Sequence, residues 1–409
     1  MYVRTMPGRY RWIVLAAGTL AQSSFAAVSV GIPALAPALR THYGLTLGET
    51  GVVLGAAGIG MLATLLPWGL LADQIGERAV IVVGLTGAGA ALAGVSATHT
   101  YGAAVGFLVL AGALGASVNA ASGRAVMGWF GEQERGLALG IRQTAIPIGG
   151  AISAATLPWL ASSGDTGPAF LALAAGCLAG AAVAGMLMRD APRHHLLRTA
   201  DPRGPLRDAT MWRLGGGSAL FLVSQIAVTG YVVLFLHEQR GLSAHAAATV
   251  LAAINVLAIG ARIGAGRWSD RVGARVRPIR RVGTALALAM LLAAGLVDAP
   301  LAALVPALIL AGVLGLTWNG LSFTAAAETA GLERSGAALG FQQTLLAVLG
   351  AGVPPAFAAL VGATSWRTAF ALAAAGPLLG LVALRGVPEP SRRRDARTPG
   401  RSALPPATR

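Results

Sequence analysis

Long stretches of this chain carry no ionisable side chain. Trp12–Ala38, Thr50–Ala72, Ala79–Thr98 and Thr100–Gly123 contain no Asp, Glu, Lys, Arg or His, and similar runs continue to Leu384. A helix needs about 20 such residues to cross the hydrocarbon core of a bilayer. In that core only helices and closed barrels satisfy their own backbone, and the period-two alternation of barrel strands is absent. The pattern predicts an all-α membrane protein. Runs and polar breaks place twelve transmembrane helices near 11–39, 47–72, 78–98, 101–129, 134–162, 167–189, 212–237, 244–269, 278–297, 300–328, 334–362 and 366–385. The first run is too long for the core of a cleaved leader and further spans follow, so it reads as retained.

Composition supports that reading and charge adds an orientation. Of 409 residues 55% are hydrophobic and 11% charged, with mean hydropathy +0.67; a soluble domain carries roughly 25% charged residues. Formal charge is +15, and every one of the 31 Lys or Arg residues is arginine. With a cytoplasmic N-terminus, the inside segments hold Arg4, Arg9, Arg11, Arg78, Arg135, the 189–213 and 267–281 loops, Arg334 and the tail, while the outside holds only Arg40, Arg240 and Arg367. This positive-inside bias predicts two cytoplasmic termini. Nucleic-acid binding is disfavoured, because the arginines are spread over loops rather than gathered on one folded domain. The single cysteine, Cys177, lies in an apolar run and reads as a small packing residue.

The chain repeats itself. "GLALGIRQT" (Gly136–Thr144) returns 200 residues later as "GAALGFQQT" (Gly336–Thr344), with Gln342 where the first copy has Arg142. "AGALGASVNAAS" (Ala111–Ser122) returns at the same offset as "AGVLGLTWNGLS" (Ala311–Ser322). Gly112, Gly115, Asn119 and Ser122, and their counterparts Gly312, Gly315, Asn319 and Ser322, recur every three or four residues and so form one helical stripe. Small residues let helices approach, and Asn and Ser supply hydrogen bonds that lipid cannot. The repeat predicts two pseudo-symmetric six-helix bundles, residues 1–189 and 212–386. A cytoplasmic linker over 190–211 and a disordered tail over 387–409 complete the chain. His194 and His195 in the linker lack partners at ligand spacing, and no metal or other cofactor is expected.

Two loops carry a further duplicated motif, "GLLADQIGER" (Gly69–Arg78) and "GRWSDRVGAR" (Gly266–Arg275). With these motifs, the chain resembles the major facilitator superfamily across about residues 10–386. That family's hallmark after its second helix is Gly-x-x-x-Asp-Arg-x-Gly-Arg-Arg/Lys. The first copy keeps Gly69, Asp73, Gly76 and Arg78 but has Gln74 and Glu77; the second keeps Gly266, Asp270, Arg271, Gly273 and Arg275 but has Ala274. The resemblance implies two six-helix bundles in the bacterial inner membrane, alternating access, and a conformational latch formed by these residues. Arg124, about five residues from its helix end, either snorkels or joins that latch.

Arg142 and Arg262 lie deeper, each about 12 Å inside a span by helical rise. A charge at mid-bilayer costs at least ~2.5–3.5 kcal/mol, which makes each a candidate for cargo binding, an internal ion pair or a gate. Asn255, Arg262 and Ser269 share one helix face. Gln22, Asn119, Gln143, Gln225, Asn319, Gln342 and Gln343 are midplane candidates for cargo contact or interhelical hydrogen bonds, and Tyr231 and Trp318 for a pocket wall. Arg262 stands eight residues before the loop aspartate, where the arginine of oxalate and monocarboxylate carriers in the superfamily holds a substrate carboxylate. "GIRQTAIPIGG" is similar to the corresponding stretch of cyanate- and nitroimidazole-type carriers. No carboxylate lies near the middle of any span, which disfavours a proton-driven cation exporter, and no nucleophile–base pair or phosphate loop points to an enzyme. The reading is a monomeric secondary transporter of a small anion, foremost a carboxylate, by proton symport, with the substrate, His237 or His245 handling the proton, or by exchange. A drug or metabolite exporter is the alternative.

Overall fold

A computed structural model describes residues 9–130, 132–162, 164–190, 207–331 and 335–389. Most of the predicted linker and the tail from residue 390 fall outside the described residues, as does the side chain of Asp73. Among the described residues all regular structure is helical, and eleven helices are long and apolar enough to cross a membrane. Leu66, Trp159 and Met186 are 71%, 67% and 72% exposed on helix surfaces, as lipid-facing side chains are.

Eight of the predicted spans form as single helices, and two of these show a side-chain cap at the start. Leu47–Ile75 begins with a capping box: the Thr46 hydroxyl accepts from the Glu49 N–H at 3.3 Å, and the Glu49 carboxylate accepts from the Thr46 N–H at 2.8 Å. Ala244–Val272 starts at Ser243, whose hydroxyl accepts from the Ala246 N–H, and ends at Gly273 with φ +64°.

Other spans are interrupted, and the interruptions matter more for function. Span 11–39 becomes α1 (Tyr10–Ser29), a 3-10 turn at Ile32–Leu35, and α2 (Ala36–Tyr43), the break falling where Pro33 and Pro37 withhold backbone donors. After it come α3 (Leu47–Ile75), α4 (Glu77–Ser96) and α5 (Tyr101–Trp129). The predicted fifth span divides at Thr144 into α6 (Glu132–Gln143) and α7 (Ala145–Leu160), 12 and 16 residues long, each too short to cross alone. The twelfth expected span is accounted for by this pair. Then follow α8 (Gly167–Leu187), a span in three parts, α9 (Ala209–Ala219), α10 (Phe221–Thr229) and α11 (Val232–Glu238), and α12 (Ala244–Val272). The remaining helices are α13 (Val276–Gly295), α14 (Leu301–Ala330), α15 (Ser335–Ala363), α16 (Trp366–Ala373) and α17 (Ala375–Ala383).

One buried apolar cluster runs from Val14 to Met188; another runs from Met211 to Val387 and takes in Ala34, Ala36 and Ala154. Between them, α3 packs along α15 and α7 along α12. Glycine makes the first seam close: a Cβ on Gly58 would stand 2.9 Å from the Gly350 backbone. Near the C-terminal ends of α2 and α11, Arg40 also pairs with Glu238 across the seam.

Candidate functional site

A cavity of about 200 Å³ lies between the two clusters. Its polar wall includes Gln22, Asn119, Gln225, Asn319 and Gln343, five of the residues singled out from sequence, beside Ser29 and Thr229, with Phe25, Met61 and Leu222 among its apolar lining. The repeated stripes on α5 and α14 explain this placement. Gly112 sits so close to the Ala57 carbonyl that any Cβ would collide with it, which turns Asn119 and Ser122 inward on the same face. Gln22 Nε2 donates to Asn119 Oδ1 at 2.7 Å, and Asn319 Nδ2 donates to Gln225 Oε1 at 3.1 Å.

Arg142 lies one side chain behind this wall and is 6% exposed. Its Nε donates to Ser122 Oγ at 2.8 Å, and Nη2 to Gln22 Oε1 at 3.3 Å and the Asn119 carbonyl at 3.2 Å. Nη1 reaches Gln143 Oε1 at 3.4 Å. In the second copy Gln342 is buried and donates through Nε2 to Ser322 Oγ, the counterpart of Ser122. Ser322 also shares a 2.5 Å hydrogen bond with Ser218.

Arg262 is 8% exposed and joins the two halves of the chain. Its Nε donates to the Leu316 carbonyl at 2.6 Å, and Nη1 donates to the Gln143 carbonyl at 2.5 Å. Pro147 explains why that carbonyl can receive it: proline has no N–H for the carbonyl four residues earlier. Gln143 therefore touches both arginines, one through its side chain and one through its backbone. Arg262 Nη2 is buried with no acceptor, and among the described residues neither arginine pairs with a carboxylate. The interior beside the cavity thus carries two uncompensated positive charges.

Other predicted residues are placed elsewhere. Asn255 is buried against Gly150, its Nδ2 donating to the Leu251 carbonyl at 2.9 Å while Oδ1 lacks a donor. Trp318 is fully buried edge-on to Phe221 and does not line the cavity. Tyr231 is likewise buried and donates to the Pro354 carbonyl, a packing role at the α11 start. Gln143, Gln342, Arg142 and Arg262 also stand behind the wall rather than on it. His237 meets the Leu242 carbonyl at 2.7 Å through Nδ1, and neither it nor His245 lines the cavity.

The duplicated loops are built around carboxylates that sequence reasoning passed over. Gly76 has φ +94°, and the Asp190 carboxylate accepts from the Arg78 N–H at 2.8 Å. In the second loop Glu389 accepts from the N–H groups of Arg275 and Val276, at 2.6 and 2.8 Å, and of Arg277, at 2.8 Å. Both carboxylates complement a helix N-terminus. Glu389 also shows that the predicted tail begins with anchored residues, because backbone donors at the α13 start need an acceptor. Arg275 further pairs with Asp270 at 2.7 Å and Glu328 at 2.8 Å, while Glu77 faces Arg124 at 3.7 Å. The ion pair between loop and helix has opposite polarity in the two copies. Gly69 and Gly266 open toward free space, and Arg271 is exposed. The near-repeat offset between Asp190 and Glu389, each shortly after the last span of its half, was the available signal.

A multi-pass helical bundle around a central cavity with polar side chains on its wall has the architecture of a membrane carrier. Comparison with known proteins places it further: the chain belongs to the major facilitator superfamily, whose family profile matches residues 18–354. An uncharacterized MFS-type transporter of Mycobacterium tuberculosis is 34% identical over 385 residues, 92% of this chain and 86% of that protein. A probable sulfoacetate transporter of Cupriavidus necator is 28% identical over 197 residues, 45% of each chain. In fold, the chain is similar to a bacterial homolog of the human lysosomal transporter Spinster in an inward-facing, occupied conformation. That likeness has a TM-score of 0.72 at 16% identity and covers 92% of this chain and 96% of that one.

Proposed function

We propose that this carrier moves a small organic anion, foremost a carboxylate, across the bacterial inner membrane by alternating access, coupled to proton symport or exchange. One observation carries the reading: Arg142 and Arg262 are buried beside the cavity without a carboxylate, and Arg262 keeps Nη2 unbonded. An anion in the cavity offsets that charge, and the Gln22, Asn119, Gln225 and Asn319 amides orient it. Arg262 holds the two halves together through the Gln143 carbonyl, so an anion that draws the guanidinium away weakens the contact between them. Binding and the release of one closed arrangement are thereby linked. The relative named as a probable sulfoacetate transporter supports the class, since sulfoacetate is a small carboxylate.

The test is a thermal-shift panel on the purified protein. Small carboxylates and sulfonates should raise the melting temperature, with a stabilisation of about 2.7 kcal/mol at a hundred times Kd. Stabilisation by lipophilic cations alone would overturn the anion reading in favour of a drug exporter.

A further inference from the structure

Outside the central cavity, a groove of about 600 Å³ opens between α13 and the end of α17. Arg277, Arg280 and Arg281 line it from α13 and Arg385 from beyond α17, with Leu288 and Leu381 deeper along the same walls. The α13 residues recur at three, four and eleven positions, one helix face, and Leu288 is 62% exposed on it. Among the described residues no carboxylate pairs with any of the four arginines. Glu389, at the start of α13, is engaged by three backbone N–H groups instead. Arg281 lies 5.6 Å from the Trp268 ring centroid.

Four guanidinium groups facing one groove repel each other, so its occupant has several anionic oxygens. The groove also runs from charged groups at a helix end onto the exposed Leu288 and the half-buried Leu381 further along the helices, so its occupant has an apolar tail. A soluble anion satisfies the first requirement only. The first repeat sharpens the point: with Gly76 aligned on Gly273, the α4 positions matching the three α13 arginines are Val80, Val83 and Gly84. General attraction to a negative leaflet would not confine the cluster to one copy.

We propose that this groove binds an anionic phospholipid from the leaflet at the N-terminal end of α13. Its phosphate sits among Arg277, Arg280, Arg281 and Arg385, and an acyl chain lies along Leu288 and Leu381. Basic sites between membrane helices take phosphate headgroups by this combination of charge and apolar depth.

The full-length protein in neutral detergent is titrated with phosphatidylglycerol, phosphatidylcholine or inorganic phosphate, and bound molecules are counted by native mass spectrometry. Phosphatidylglycerol should bind in preference to phosphatidylcholine, and phosphate at equal concentration should leave it bound. Arg280→Gln combined with Arg385→Gln removes one exposed arginine from each wall and should weaken phosphatidylglycerol roughly 30-fold. The matching pair of lysine substitutions keeps the charge and should stay within about fivefold of the unaltered protein. Equal phosphatidylglycerol affinity in the glutamine variant would overturn the proposal, as would equal binding of phosphatidylcholine or displacement by phosphate. A lysine variant as weak as the glutamine one would overturn it too, by tracing the loss to packing rather than charge.

Discussion

The frames Gly136–Thr144 and Gly336–Thr344 began as the same nine-residue unit and now do different things. In the first, Arg142 gathers Ser122, Gln22, Asn119 and Gln143, and the helix divides at Thr144. In the second, Gln342 keeps the bond to the matching serine while α15 runs unbroken through Thr344 to Ala363. The difference traces to two positions, Arg142 against Gln342 and Pro147 against Ala347. One adds charge; the other leaves the Gln143 carbonyl open to Arg262 from the opposite half. The two copies share their spacing, and the asymmetry in one frame leaves a buried guanidinium in that copy alone.

The comparison is most severely tested by moving the charge. Gln342→Arg places a guanidinium where Gln342 is now 0% exposed and bonded to Ser322, which Ser218 already engages. Without the full acceptor set that α1, α5 and α6 offer Arg142, it should lower stability by about 2.5–3.5 kcal/mol, read as a lower melting temperature in detergent. An unchanged melting temperature would mean that the second copy tolerates charge equally and that the acceptor set around Arg142 has no special part.

A smaller effect is expected from Pro147→Ala, which imitates Ala347. The new N–H binds the Gln143 carbonyl and competes with Arg262 Nη1 for it. A freer Arg262 should bind the stabilising anion more tightly, by about 0.5–1.5 kcal/mol in calorimetric titration. Unchanged or weaker affinity would show that the carbonyl does not compete with cargo.

Much of this was legible in sequence, and the parts that were not share a physical cause. Uncharged runs gave the helices because lipid admits few other solutions. The three- and four-residue spacing of Gly112, Gly115, Asn119 and Ser122 gave the inward face of α5, and Gln22, Asn119, Gln225, Asn319 and Gln343 do line the cavity. Trp318 and Tyr231 face packing instead, because which side of a helix meets a cavity depends on neighbours whose register one helix does not encode. The partners of Arg262 are backbone carbonyls, which have no residue type to mark them; only Pro147 hinted at one. Asp190 and Glu389 were overlooked for a related reason: each lies more than 110 residues from the loop whose backbone it binds.

The central claim is that buried arginines hold an anion, and binding of the stabilising carboxylate by Arg262→Gln tests it most directly. With Nη1, Nη2 and the positive charge gone, calorimetric affinity should fall by about 1.5–3 kcal/mol, with Arg262→Lys recovering part of the loss. Arg142→Gln, which copies the Gln342 frame, should fold and bind more weakly than the unaltered protein. Affinity equal to the unaltered protein's in both glutamine variants would contradict the account and leave the two arginines as packing or gate residues.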